Sequence, residues 1–206
     1  MNIGIIDYGA GNLRSVANAV RHLGFAPTLV TSASELDQQE RLIFPGVGSF
    51  GDCVENLTRL DLWQGIADWI ADDRPYLGIC LGYQVLFEGS KESPGVAGFG
   101  VLAGRCARFD SSHLKVPHMG WNTVEPTDPS DPIWRGLPVE PYFYFVHSYY
   151  PRPSDPGVVA GWSGYGAPFA AAVRRGNLVA TQFHPERSQA NGLALLGNFL
   201  AQNVPG

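Results

Sequence analysis

Tyr76-Leu77-Gly78-Ile79-Cys80-Leu81-Gly82-Tyr83-Gln84 joins a short apolar run to a helical pattern through a Gly-x-Cys-x-Gly turn. The run Tyr76 to Ile79 reads as a buried strand, and Leu81 to Glu88 as the helix that follows it. Small neighbours suit such a turn, because the backbone crowds there and leaves little room for Cβ atoms. The same joint recurs upstream. Asn2 to Asp7 is an apolar run ending in Tyr8-Gly9-Ala10-Gly11-Asn12, after which Leu13, Val16, Ala17, Val20 and Leu23 fall at helical spacing up to Gly24. Pro27 to Thr31 reads as a second strand. Ser32-Ala33-Ser34-Glu35 has capping-box spacing and predicts a short helix. Leu42 to Phe44 is a third strand, ending at Pro45-Gly46-Val47-Gly48, and helical patterns follow over Asp52 to Arg59 and Leu62 to Ala71.

Strand and helix in alternation predict an α/β fold in three layers: an open, mainly parallel sheet with helices on both faces. Ligands in such sheets sit at the carboxyl ends of the strands. The loops Tyr8 to Asn12 and Pro45 to Phe50, and the turn at Cys80, all lie at those ends. From Gly100 to Gln182 the pattern becomes β-rich, with frequent Pro and Gly. Ala170 to Arg175 and Leu178 to Phe183 flank Gly176-Asn177 as a hairpin. Ala190 to Gln202 closes the chain as an amphipathic helix. A length of 206 residues suits one sizeable core, so a single domain over 1–206 is expected.

A net charge of −5 without a basic cluster argues against nucleic acid as a partner. The three cysteines, Cys53, Cys80 and Cys106, form no Cys-x-x-Cys pair, which fits a reducing cytoplasm better than a disulfide framework. The five histidines show no metal-ligand spacing, so no metal is expected. The N-terminus lacks the basic start of a signal peptide, and no apolar run reaches the length of a membrane span. No phosphate loop or cofactor fingerprint occurs, so no cofactor is expected.

Phe183-His184-Pro185-Glu186 completes a chemical set. Cys80 supplies a nucleophile, His184 a base and Glu186 a carboxylate to orient it, which together suffice for acyl transfer through a thioester. A free thiol, with a pKa of about 8.5, is only a few per cent thiolate at neutral pH. A helix N-terminus and a nearby imidazolium are the expected sources of its activation.

Over its whole length the chain resembles the class I, triad-type glutamine amidotransferases. Within that class it is most similar to the glutaminase subunits of imidazole glycerol phosphate synthases. The broad resemblance rests on the Cys80 turn and His184-Pro185-Glu186. The narrower one rests on Asp7-Tyr8-Gly9-Ala10-Gly11-Asn12, Pro45-Gly46-Val47-Gly48, Val116-Pro117-His118-Met119-Gly120-Trp121-Asn122 and Phe145-Val146-His147-Ser148-Tyr149. Tyr83 and Arg187 depart from the Met and Lys that the family often carries.

The resemblance implies a flavodoxin-like sheet, glutamine as substrate, and a (β/α)8-barrel cyclase subunit as heterodimeric partner that receives the ammonia. It implies glutamine contacts at Gln84, His147, Ser148 and Tyr149. It also implies an oxyanion hole from Leu81 and the Pro45-to-Gly48 loop, with Gly48 able to let a peptide flip. Asn12, Trp121 and Arg187 are the expected partner-facing residues, and Arg187 is expected to form an ion pair across the interface. The glutaminase subunit of another amidotransferase, an inactive glutaminase-like scaffold, and a Cys-elbow hydrolase on the same sheet stand as other readings of these residues.

Overall fold

Ile3–Ile6 (β1) is buried at every residue and continues through a tight loop into Leu13–His22 (α1). The computed structural model describes residues 1–202, so the last four residues of the expected 1–206 domain lie outside the described residues. Next come Pro27–Val30 (β2), Ala33–Leu36 (α2), Arg41–Gly46 (β3), Phe50–Arg59 (α3), Trp63–Ala71 (α4), Tyr76–Cys80 (β4) and Leu81–Gln84 (α5). The second half supplies Gly104–Arg108 (β5), His118–Thr123 (β6), Glu125–Pro126 (β7), Tyr142–His147 (β8), Tyr149–Pro153 (β9), Val159–Tyr165 (β10), Ala167–Arg175 (β11) and Leu178–Thr181 (β12), and ends in Gln189–Ala201 (α6).

The main sheet has the order β2-β1-β3-β4-β12-β11-β10-β7. Pairing is parallel from β2 to β12 and antiparallel from there to β7. Strands β1, β3, β4 and β12 are buried throughout, as central parallel strands covered on both faces must be. Side chains alternate across the sheet. Ile3, Ile5, Leu77 and Ile79 meet α1 and α6 on one face, through Val16, Val20, Leu196 and Phe199. Ile6, Phe44 and Tyr76 meet α2, α3 and α4 on the other, through Leu36, Leu57 and Trp69. The three layers expected from the sequence are therefore present, and β11 and β12 form the expected hairpin with Arg175 opposite Leu178.

Two local expectations need correction. The helix expected over Leu81 to Glu88 stops at Gln84. Beyond it, Leu86 and Phe87 N–H turn to the carbonyls three residues back, and the Phe99 and Leu102 N–H groups bind the Val85 and Leu86 carbonyls. A crossing segment thus takes the acceptors that a longer helix would have used. The capping box at Ser32 is also incomplete. Ser32 makes no side-chain cap, and Glu35 instead accepts from the Thr31 N–H at 2.7 Å.

Strands β6 and β8 form a separate antiparallel ribbon, with His118 opposite His147. Both histidines are buried and hydrogen-bonded to each other at 3.0 Å. Their proton arrangement is fixed from the ends. Asn122 Oδ1 accepts from Thr123 N–H and its Nδ2 donates to the Gly164 carbonyl, so Nδ2 is also the group facing His118 Nε2. His118 therefore carries its proton on Nδ1 and donates it to His147 Nε2, while His147 Nδ1 donates to the Tyr149 carbonyl at 2.8 Å. Burial holds His118 down to about 4 and His147 down to about 3, so both stay neutral.

The Gly82 site allows no side chain: an added Cβ would lie 2.0 Å from the Phe44 carbonyl oxygen. At Gly197 in α6 the nearest atom would be an ordinary 3.7 Å away. Gly82→Ala should thus destabilise the fold by at least about 1–3 kcal/mol, and Gly197→Ala should stabilise it by about 0.5–1 kcal/mol; urea unfolding of each checks the opposite signs. The histidine pair predicts a pH slope. Below about 6.5 the unfolded chain binds protons that the folded His118 and His147 refuse, so stability falls as pH drops toward their folded values. Replacing His118 with Gln should flatten that fall between pH 6.5 and 4, and equal slopes for the two proteins would contradict it.

Candidate active site

Cys80 ends β4 with φ 55° and ψ −100°, a left-handed backbone in which a non-glycine residue is strained. The turn is held by crowding. A Cβ on Gly78 would lie 2.4 Å from the Gly82 carbonyl oxygen, as Gly82 itself abuts Phe44. The flanking glycines are thus sterically required, as the sequence suggested. Because α5 is a single turn, the contribution to the thiol expected from a full helix dipole is correspondingly reduced.

His184 and Glu186 enter from the end of β12. Parallel pairing sets Thr181 beside Ile79, so the residues after Thr181 run alongside the Cys80 turn. The His184 backbone is fastened to β8: its N–H donates to the Tyr144 carbonyl at 2.9 Å, and Ser188 Oγ donates to its carbonyl at 2.7 Å while accepting from Tyr144 N–H at 2.9 Å. His184 Nδ1 lies 2.9 Å from Glu186 Oε1, and both side chains are almost wholly buried. The carboxylate accepts the Nδ1 proton, which leaves Nε2 to serve the thiol. Burial is the largest single influence on His184 and lowers its pKa. The neighbouring Cys80 sulfur and Glu186 carboxylate outweigh it, so the imidazole is raised above its ordinary range.

Asn12, expected at a partner surface, reaches inward. It occupies the N-cap position of α1 yet caps nothing there. Its Nδ2 donates instead to Glu186 Oε1 at 3.2 Å. Glu186 is thereby pinned by His184 and Asn12 and lies beside the N-terminus of α1, where the helix dipole favours negative charge.

A cavity of about 340 Å³, at the small end of the roughly 300–1,000 Å³ of ligand pockets, opens onto these groups. Cys80 and His184 line it, together with Gln84, His147, Ser148, Tyr149, Gly48 and Leu81, so every glutamine and oxyanion residue expected from the sequence reaches one space. Gly48 has φ 101°. The preceding carbonyl, on Val47, accepts from the Tyr8 hydroxyl at 3.1 Å, and a trans peptide sends the Gly48 N–H the opposite way. Glu92, not foreseen, also lines the cavity and accepts from Phe50 N–H at 2.8 Å.

Trp121 is 47% exposed and Met119 62%, an apolar pair on β6 that the fold leaves uncovered. Trp121 meets Tyr144 edge-on, and the exposed Arg187 guanidinium lies 4.8 Å from the centre of the same ring. Trp121 and Arg187 therefore share one patch around Tyr144. Tyr83 is core: its hydroxyl donates to the Ala170 carbonyl at 3.2 Å. Cys53 and Cys106 are buried, and burial pushes the Cys53 thiol up to about 12. Ser188 and Gln182 were missed as site residues. The signal for Gln182 was a polar side chain at the end of a run that had to be buried.

Solved structures share the fold. They include PurLQS from Thermotoga maritima (TM-score 0.78, 21% identity, 97% of each chain) and a protein described as a glutamine amidotransferase (TM-score 0.75, 21% identity, 96% of each chain). Two relatives named imidazole glycerol phosphate synthase subunit HisH are closer in sequence. The protein from Methylococcus capsulatus is 49% identical over 97% of this chain and 95% of its own. That from Rhodopirellula baltica is 50% identical over 98% of both. The family described as glutamine amidotransferase class-I matches residues 4–203. With the elbow cysteine, the buried His–Glu pair and these relatives in agreement, the chain belongs to the class-I glutamine amidotransferase family.

Proposed function

We propose that this chain is the glutaminase subunit of an imidazole glycerol phosphate synthase, working in histidine biosynthesis. It would hydrolyse glutamine to glutamate and ammonia and hand the ammonia to a cyclase subunit. The observation that carries the proposal is the meeting of Cys80 and His184 at one small cavity, with Glu186 bonded to His184 behind it. The likeness to the HisH relatives across nearly the full length supplies the pathway.

Each group has a task that its surroundings suit. His184 Nε2 takes the Cys80 proton, and the sulfur attacks the carboxamide carbon of glutamine. Glu186, steadied by Asn12, fixes the imidazole tautomer and favours its charged form. The tetrahedral oxyanion needs N–H donors, for which Leu81 and the Gly48 loop stand at the cavity wall. As the C–N bond breaks, the imidazolium gives its proton to the departing ammonia. Water, deprotonated by the same imidazole, then attacks the thioester; glutamate leaves and the sulfur regains its proton. Gln84, His147, Ser148 and Tyr149 enclose the substrate, and Glu92 suits its α-ammonium group by charge.

The exposed Met119 and Trp121, with Arg187 beside them, fit the partner face, where the cyclase barrel would cover apolar surface. No helix among the described residues is long and apolar enough to cross a membrane. We infer a cytoplasmic enzyme acting as one catalytic domain without a cofactor.

Glutamate release from glutamine, measured for the chain alone and then with a cyclase subunit and its nucleotide ligand, tests the assignment. Activity should rise steeply with the partner and vanish in Cys80→Ala. Full activity indifferent to the cyclase would reassign the chain to another amidotransferase, and no activity under any condition would favour the scaffold reading. Asn12→Ala should lower kcat about tenfold or more, the kinetic equivalent of roughly 1.5 kcal/mol for a hydrogen bond to a charged group, with little change in KM or stability. Unchanged kcat would separate Asn12 from the triad.

A further inference from the structure

Gln182 has no part in the reaction as derived above, yet the fold sets it beside the nucleophile. In the β4–β12 ladder Ile79 is level with Thr181, so the next residues along are Cys80 and Gln182. Gln182 is fully buried, and its backbone N–H donates to the Ala171 carbonyl at 2.8 Å. Its Nε2 lies 3.6 Å from Cys80 Sγ, within range for a hydrogen bond to sulfur, and its Oε1 lies 3.2 Å from Gln84 Nε2. The same Gln84 nitrogen lies 3.0 Å from the Tyr149 carbonyl oxygen.

The orientation of both amides follows from that carbonyl. Tyr149 O can only accept, so Gln84 must present its NH2 group there. That NH2 also faces Gln182, which must answer with its oxygen. The remaining Gln182 group, its NH2, is then the one directed at the sulfur. Turning Gln182 end for end would set two NH2 groups against each other and an oxygen lone pair against the sulfur, at buried side chains where both mismatches are costly.

We propose that Gln182 is a further catalytic residue, whose side-chain amide, aimed by Gln84, donates a hydrogen bond to the Cys80 sulfur and stabilises its thiolate. Its effect on turnover rests on the glutaminase assignment; its effect on the sulfur does not. A donor at this position favours S⁻ over S–H, the displaced proton going to His184 Nε2. It acts twice per cycle. Before attack it stabilises the anion. When water has added to the thioester and the C–S bond breaks, the bonding pair returns to sulfur, and the same N–H donates its hydrogen bond to the anion so formed. With α5 reduced to one turn, this amide supplies part of what a longer helix would have given.

Two substitutions separate polarity from shape. Gln182→Glu keeps the shape and an acceptor for Gln84, but sets an oxygen against the sulfur. Gln182→Met keeps the length and removes both donors. Alkylation of Cys80 by iodoacetamide, followed by mass spectrometry from pH 5 to pH 10 beside glutamate release with the cyclase, reads both effects. In each variant alkylation at neutral pH should slow about tenfold or more. The profile should move to higher pH and reach the wild-type rate in strong base. For glutamine, kcat should fall with little change in KM.

A wild-type profile in either variant would overturn the assignment. Should neither variant fold, the wild-type chain still decides. With glutamine side chains labelled with ¹⁵N, the Gln182 amide protons should shift over the pH range in which alkylation switches on, and a pH-independent signal would overturn it. If the alkylation results hold but no glutamate is released by wild type under any condition, the glutaminase assignment falls and Gln182 keeps its role at the sulfur. Normal glutamate release by Gln182→Glu has the reverse meaning.

Discussion

Strand β4 is clamped between two parallel partners, and the site depends on that clamp. On one side Gly46 of β3 is level with Cys80; on the other, Thr181 of β12 is level with Ile79. Parallel strands end at the same edge of a sheet. Three segments far apart in sequence, the Val47–Gly48 loop, the Cys80 turn and the Gln182-to-Glu186 segment, therefore emerge side by side with no further instruction. A slip of one residue in either ladder would reverse every side chain between core and opposite face. The continuous burial of β3, β4 and β12 on both sides makes such a slip costly.

Around this clamp, buried polar groups form two chains, each with one satisfactory proton arrangement. One runs from Asn122 through His118 and His147 to the Tyr149 carbonyl; the other runs from that carbonyl through Gln84 and Gln182 to Cys80. They meet at a single oxygen atom. Low-dielectric surroundings make a broken link expensive, so these chains hold the cavity wall in one shape. The outer side of the same β6–β8 ribbon carries Met119 and Trp121. One thin ribbon thus has an apolar outer surface and an ordered polar inner surface that ends at the cavity.

Much of the fold was legible because it rests on local pattern: apolar runs ending in glycine, helices at 3.6 spacing, a Gly-Asn turn between alternating strands. Cys80, His184 and Glu186 could be read because reactive residue types stood at sharply marked turns. The length of α5 was misread because Val85, Leu86 and Phe87 continue an apolar pattern, and nothing local announces that residues 98–102 will claim their backbone. Asn12 was read from its loop alone, while its bond to Glu186 spans 174 positions. Gln182 could have been found by the rule that a polar residue within a buried strand must have partners. What could not be read was which partner, since register is a property of the folded sheet.

The backbone at Cys80 has an evolutionary consequence. Its left-handed conformation costs about 1–3 kcal/mol for a residue with a side chain, and glycine would occupy it without that cost. A cysteine codon becomes a glycine codon by one nucleotide change. One of the single-nucleotide steps that destroy the nucleophile therefore also relaxes the strained turn. A duplicate of this chain freed from selection for turnover would drift downhill into a well-folded, inactive form, still able to present the same surface to whatever binds it.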